Sequence, residues 1–124
     1  MKTLHFPRAV RVRGFEYLID YVNKSREVDH ALADDDLLGQ CCPGNPGHIR
    51  VLTMQESIGI LTTVIHETLH VIFNKNAILT AAIRPEIGDE AFISALANEL
   101  AYLLVDNNWV QLPETVKPTE IRIN

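Results

Sequence analysis

Residues 53–74 read TMQESIGILTTVIHETLHVIFN, and their pattern predicts a long helix. Thr53-Met54-Gln55-Glu56 fits the Ser/Thr-x-x-Glu capping box, in which the hydroxyl and the carboxylate each accept a hydrogen bond from a free backbone amide. Apolar residues then recur at three- and four-residue spacing, namely Ile58, Leu61, Ile65, Leu69 and Ile72. The sequence therefore predicts a helix that begins at the capping box and ends near Asn74, with one apolar stripe in the core.

The same helix contains an HExxH sequence, His66-Glu67-Thr68-Leu69-His70. At about 100° per residue, His66 and His70 project about 40° apart, so both imidazoles can reach one zinc ion. Glu67 lies about 100° round from His66, where it can reach a metal-bound water without ligating the metal. The alternative is a helix that carries these residues by chance, but the histidine face borders the apolar stripe, where an unpartnered histidine pair is costly to desolvate. We therefore expect His66 and His70 to be metal ligands and Glu67 to be the catalytic base.

A second helix is predicted from about Asp89 to Asp106, with Asp89 as its N-cap. Its apolar stripe consists of Phe92, Ile93, Leu96, Leu100, Leu103 and Leu104. A catalytic zinc ion usually takes three protein ligands and leaves its fourth position to water. Glu90 is the predicted third ligand, because it shares a helix face with the small residues Ser94, Ala97 and Ala101, which allow two helices to approach. Glu99 is the alternative, since the rotation of the helix is fixed only to within about a residue.

The remaining segments predict a small, mostly antiparallel sheet. Residues 9–22 favour two strands in a hairpin, with a short helix as the alternative for the second strand. Residues 23–47 are rich in turn formers and predict an exposed loop, whereas residues 48–53 alternate as a half-buried edge strand does. Residues 107–124 predict an irregular tail, apart from a possible strand at residues 120–123. The expected fold is α+β, with this sheet packed on two main helices.

Composition restricts the class of protein. The chain has 124 residues, of which 47% are hydrophobic and 22% charged, so we expect one globular domain over residues 1–124. Eleven basic against sixteen acidic residues give a net charge of −5, which disfavours nucleic acid as a partner. No apolar run reaches the roughly 18–20 residues of a spanning helix, so no membrane partner is expected. The neighbouring Cys41 and Cys42 exclude a disulfide scaffold and favour the cytoplasm.

Three other residues are weaker candidates for a metal site. His48 follows a glycine-rich stretch and is predicted to be a solvated loop histidine rather than an extra ligand. Cys41 and Cys42 together with His48 lack the four closely spaced ligands of a second zinc site. The sequence therefore predicts a single metal centre.

The chain resembles a known group of proteins in the segments that surround HExxH. The helix Ile65–Ile72, the preceding strand Ile49–Leu52 and the following Glu90–Ala97 are similar to small phage or prophage metallopeptidase-like proteins akin to the ImmA/IrrE branch of the gluzincins. That branch carries HExxH on one helix and opens the next with a pattern close to E-x-x-A-N-x-F-A. Glu90 matches the glutamate, while Ile93-Ser94 and Leu96-Ala97 occupy the Ala-Asn and Phe-Ala positions.

This resemblance implies a minimal zincin-like domain that hydrolyses peptide bonds in a protein or peptide substrate. Zn²⁺ would be held by His66, His70 and Glu90, and its bound water would be activated by Glu67. The alternative is a catalytically silent zinc-binding protein that associates with a host or phage partner. So small a domain has little surface for a deep cleft, which favours this alternative. A metal-free interaction module is a third interpretation.

Overall fold

A mixed four-stranded sheet and three helices make up the part of the chain that the computed structural model describes, residues 5–23, 39–42, 44 and 46–114. The strands are β1 (Ala9–Val12), β2 (Phe15–Val22), β3 (Gly39–Cys42) and β4 (Gly47–Leu52). The helices are α1 (Ser57–Asn74), α2 (Ala77–Ala82) and α3 (Asp89–Asp106). The predicted α+β class is confirmed, and the short helix α2 was not predicted.

The hairpin predicted over residues 9–22 is confirmed, and its second member is a strand rather than a short helix. β1 and β2 are antiparallel and are joined by Arg13 and Gly14, which both have positive φ, at 52° and 85°. Two residues with positive φ give a tight turn whose twist matches that of the flanking strands. Alternate β2 residues face the core, which explains the strand: Tyr17, Ile19 and Tyr21 are buried.

The strand order is β1-β2-β4-β3, which places β4 inside the sheet. β4 runs parallel to β2 and antiparallel to β3, so two of the three pairings are antiparallel, as predicted. The prediction that residues 48–53 form an edge strand is wrong, because β4 is paired on both sides, and its Ile49 and Val51 are 0% exposed. β3 lies at the edge, within the 23–47 segment that was predicted to be a loop.

Helix α1 begins later than the capping box predicts. Its first residue is Ser57, and its N-cap Glu56 makes no side-chain capping bond. The Thr53 hydroxyl donates instead to the carbonyl oxygen of Val22 at 3.1 Å, and the Thr53 amide donates to the same oxygen at 2.7 Å. Thr53 therefore ties the end of β4 to β2 rather than starting the helix, while the predicted helix end at Asn74 is confirmed.

Helix α1 lies between the sheet and α3, and the core consists of the apolar side chains on these two sides of the helix. Toward the sheet, the helix buries Ile60, Val64 and Val71 against β2 and β4. Toward α3, Leu69 and Phe73 pack with Ile93 and Ala97. The predicted single stripe is thus only partly correct, since Ile58, Ile65 and Ile72 are half-buried whereas Leu61 and Leu69 are buried. A helix held between two layers needs apolar side chains on both flanks, which a single stripe does not describe.

Helix α3 has the predicted bounds but a narrower buried face. Its N-cap is Gly88, with φ at 81°, and Asp89 is the first helical residue rather than the cap. The buried residues of α3 are Ile93, Ala97 and Ala101. Leu96, Leu100 and Leu104 of the predicted stripe are half-buried, whereas Phe92 and Leu103 are exposed. Of the small residues predicted to let the helices approach, Ala97 and Ala101 are buried, whereas Ser94 is exposed, and the larger Ile93 also belongs to the contact with α1.

Residues 107–114 follow α3 as turns and irregular chain, as predicted. The possible strand at residues 120–123 and most of the predicted loop at residues 23–47 lie outside the described residues. None of the helices in the described ranges combines the length and apolarity that crossing a membrane requires.

The close approach of β3 to α1 depends on Gly39. A Cβ atom at this position would lie 2.5 Å from Cγ2 of Thr63 and 3.2 Å from Cγ of Glu67. The Thr63 methyl is held in place, because its hydroxyl donates to the Gly59 carbonyl at 2.8 Å and accepts from the Gln55 amide at 3.2 Å. We expect Gly39→Ala to lower the free energy of unfolding by about 1–3 kcal/mol through overpacking, as measured by urea denaturation.

Thr63→Ser supplies the matched control for this prediction, since it removes the obstructing methyl and keeps the hydroxyl. The Gly39→Ala/Thr63→Ser double variant should recover most of the stability that Gly39→Ala loses, relative to Thr63→Ser alone. An equal loss in both backgrounds would show that the contact with Thr63 is not the cause.

Candidate metal centre

Helices α1 and α3 bring His66, His70 and Glu90 together, as the sequence predicted. The Nε2 atom of His66 lies 2.8 Å from Oε1 of Glu90, and the Nε2 atom of His70 lies 2.9 Å from Oε2. The two Nε2 atoms are 3.1 Å apart, and one ligand atom from each residue lies within 4.8 Å of the others. Glu99, the alternative third ligand, is exposed on α3 and does not belong to this cluster.

Helical spacing explains how Glu90 reaches the histidines. Ala97 and Ala101 follow Glu90 by seven and eleven residues, which at about 100° per residue places all three within about 20° of one face. Both alanines are 0% exposed, and Ala97 packs against Leu69 and Phe73 of α1. The small side chains hold the two helices close together, so the longer carboxylate at the start of α3 spans the remaining gap.

The donor set fits a divalent cation such as Zn²⁺. Tetrahedral zinc with bonds of about 2.1 Å separates its ligand atoms by about 3.4 Å. The contacts of 2.8, 2.9 and 3.1 Å are shorter than this, whereas the set with one ligand atom from each residue spans up to 4.8 Å, so the side chains must adjust to hold the ion. Glu90 can make this adjustment because its side chain is 72% exposed. Each Nε2–H can donate to one oxygen of Glu90, and a bound cation would take the place of those protons.

His66 is electrostatically suited to bind a cation. Its side chain is 15% exposed, and this burial lowers its pKa; Glu90 opposes the change, while His70 adds to it. The neutral imidazole is thereby favoured, and this is the form that binds a metal. The Ser94 hydroxyl lies 3.4 Å from Nδ1 of His66, where it can orient the ring when Nε2 is the ligand.

Glu67 lies beside the cluster without joining it. Its Oε1 atom is 4.0 Å from Nε2 of His66, and its side chain is 9% exposed. Burial, together with the negative charge of Glu90, raises the pKa of Glu67 to about 7. A carboxyl group that titrates near neutral pH is well suited to accept and return a proton. This position allows Glu67 to serve a water molecule held at the cluster.

A cavity of about 620 Å³ opens beside Glu67, His70 and Glu90. Its walls also include Tyr17, Cys41, Val71, Asn74 and Lys75. This volume is within the range of ligand pockets, about 300–1,000 Å³. The sequence patterns did not predict that these additional residues would line a cavity beside the cluster. The signal that could have found Lys75 is its spacing, since Glu67, Val71 and Lys75 follow one another at four-residue intervals along one side of α1.

His48 belongs to strand β4, so its prediction as a loop histidine is wrong. It alternates with Ile49, which faces α1, and therefore points to the opposite side of the sheet. There its Nδ1 atom lies 3.2 Å from Oδ2 of Asp20. His48 is thus separated by the sheet from the cluster of His66 and His70.

Both cysteines are free thiols in strand β3. Burial raises the pKa of Cys41 to about 11, with further contributions from Glu67 and Cys42 and partial opposition from Lys75. Among the described residues, neither cysteine joins a group of three or more metal-binding side chains.

Comparison with known proteins yields no relative: no protein-family model matches the chain, and no curated protein or solved structure is significantly similar to it. A proposal of function therefore depends on the arrangement of His66, His70 and Glu90 beside the buried Glu67.

Proposed function

We propose that this protein is a zinc-dependent peptide-bond hydrolase with a minimal zincin-like fold, related to the small phage and prophage HExxH metallopeptidases that its sequence resembles. The observation that carries the proposal is the convergence of His66, His70 and Glu90 next to a buried Glu67 at the wall of a cavity. Zn²⁺ in this position would lower the pKa of its bound water to about 7 and would polarise a substrate carbonyl.

Glu67 performs the proton transfers in this proposal. Its carboxylate accepts a proton from the attacking water and then donates it to the amine that leaves. The position of Glu67 supports this role, because it is not a member of the cluster and its Oε1 atom lies 4.0 Å from His66 Nε2, close enough to reach a water there. Its burial also raises the pKa of its carboxyl group, which helps it to retain the accepted proton until the amine leaves.

Strand β3 is the proposed platform for the substrate backbone. It lies at the edge of the sheet, and Gly39 and Cys41 of this strand line the cavity beside Glu67. An extended peptide can add to such an edge by backbone hydrogen bonds. β4 cannot take this role, because it is already paired on both sides.

The exposure of Glu90 favours the hydrolase over a catalytically silent zinc-binding protein. A structural zinc site is closed by four protein ligands, whereas a catalytic site keeps one position open. Within the described residues the cluster has three members, its Glu90 side chain is 72% exposed, and it borders the cavity. These features support an open fourth position.

The test uses purified protein loaded with Zn²⁺ and incubated with a mixed peptide library, with products identified by mass spectrometry. We expect cleavage that stops when a chelator removes the metal, returns when Zn²⁺ is restored, and is inhibited by a hydroxamate. Stoichiometric zinc with no cleavage and no hydroxamate binding would favour the silent alternative. A protein that binds no zinc would favour the metal-free interaction module.

A further inference from the structure

The cavity beside the cluster of His66, His70 and Glu90 is also lined by one lysine, Lys75. Lys75 lines the same cavity as Glu67, His70 and Glu90. Its Nζ atom lies 3.9 Å from the centroid of the Phe15 ring, at the start of β2. None of the ion pairs among the described residues involves Lys75. Lys75 is thus a half-buried residue of the cavity lining that has no carboxylate partner in that part of the chain.

The charges that line the cavity are divided between two ends. The carboxylates of Glu67 and Glu90 lie at the metal cluster, whereas Lys75 is the cap residue at the C-terminal end of α1. Lys75 follows His70 by five residues, a rise of about 7.5 Å along the helix. An extended peptide covers about 3.3 Å per residue, so this spacing corresponds to two or three residues of a bound chain.

We propose that Lys75 forms a subsite for a substrate carboxylate, placed two or three residues from the bond that is cleaved. The carboxylate belongs to an aspartate or glutamate side chain or to the free C-terminus of a peptide. The consequence for cleavage rests on the proposed function, whereas the binding of the carboxylate does not. A peptide paired with β3 would carry its side chains along the cavity toward Lys75.

The helix terminus and the Phe15 contact do not by themselves account for the position of Lys75. A cation is favoured at a helix C-terminus, and it is attracted to the face of an aromatic ring. Yet an ammonium group has three donors, and an aromatic face satisfies only one side of it. Lys75 also lines the cavity, where a negatively charged ligand group would gain from its positive charge.

The experiment measures binding in a zinc-loaded Glu67→Gln background, so that no peptide is consumed. The probes are fluorescein-labelled, alanine-based octapeptides with a C-terminal amide, in which one glutamate or one glutamine is moved from position to position. A second arm compares the free C-terminal acid with the amide and thereby distinguishes the two sources of the carboxylate.

The variants are Lys75→Met, which removes the charge, and Lys75→Arg, which keeps it. Arg84→Met is the matched control, since Arg84 is exposed and does not line the cavity.

With Lys75 present, we expect about tenfold tighter binding of the carboxylate peptide than of its neutral counterpart at one position of the series. Lys75→Met should abolish this difference, while Lys75→Arg and Arg84→Met should retain it. A purely structural role of Lys75 would weaken both peptides equally. Equal affinity for both peptides, or no measurable affinity for either, overturns the inference. Hydrolysis by the wild-type protein is followed separately, so loss of the proposed function is distinguished from loss of the subsite.

Discussion

Replacing Glu67 by glutamine is expected to leave zinc bound and to lower the rate of peptide hydrolysis by on the order of 10²–10⁴-fold. The amide keeps the shape of the side chain but cannot accept a proton from water. Glu67 lies outside the cluster of His66, His70 and Glu90, so the metal content should not change. The measurements are kcat/KM on a cleaved peptide and zinc content by plasma mass spectrometry.

Glu99→Gln is the matched control, because Glu99 is an exposed glutamate on α3 that does not belong to the cluster. It should keep full activity. Misfolding does not explain the expected loss in Glu67→Gln, since burial penalises the charged form of Glu67 and the neutral amide avoids that cost. If Glu67→Gln cleaves as fast as the wild type, Glu67 is not the base and the proposed mechanism is wrong.

Glu90→Ala is expected to weaken zinc binding strongly. Loss of a residue that only supports a metal ligand costs roughly 10–100-fold in affinity, and loss of a ligand itself should cost more. The variant removes one of three converging ligand side chains and leaves only the two imidazoles, whose Nε2 atoms are 3.1 Å apart. Zinc affinity is measured by competition with a chelator of known affinity. The zinc K-edge spectrum then reports whether an oxygen ligand has been lost.

The fold should survive this substitution, because the Glu90 side chain is 72% exposed and contributes little to the core. Circular dichroism and urea unfolding of the metal-free variant verify this point. Glu99→Ala is the control and should bind zinc as the wild type does. Unchanged zinc affinity and an unchanged spectrum in Glu90→Ala would exclude Glu90 as a ligand, and the proposed catalytic site would then lack its third protein group.

Local sequence determined the two long helices, α1 and α3, and the side chains that they carry toward the candidate site. The 3.6-residue period relates His66 to His70 and places Glu90 on the face of Ala97 and Ala101, whatever the remainder of the chain does. The hairpin is likewise local, since Arg13 and Gly14 form a turn that joins adjacent strands. These features were predictable because the residues that specify them are only a few positions apart.

Helix boundaries were less predictable where a tertiary contact competes with a local one. Thr53 has the side chain and spacing of an N-cap, yet its hydroxyl bonds to the carbonyl oxygen of Val22, thirty-one residues away. The Thr53 amide also donates to this oxygen, so the backbone at Thr53 continues the pairing of β4 with β2. Only the fold brings Val22 within reach, and the helix begins at Ser57, after this pairing has ended.

The order of the strands and the cavity were decided by the tertiary structure alone. β3 has four residues, Gly39 to Cys42, and it is held to β4 by backbone bonds that leave no side-chain pattern to recognise. Its place at the edge of the described strands determines which backbone lies beside Glu67, and its glycine determines how closely it approaches α1. Sequence periodicity therefore specified which residues face the candidate metal, whereas long-range backbone pairing determined what surrounds them, because such pairing depends on the whole chain and not on neighbouring residues.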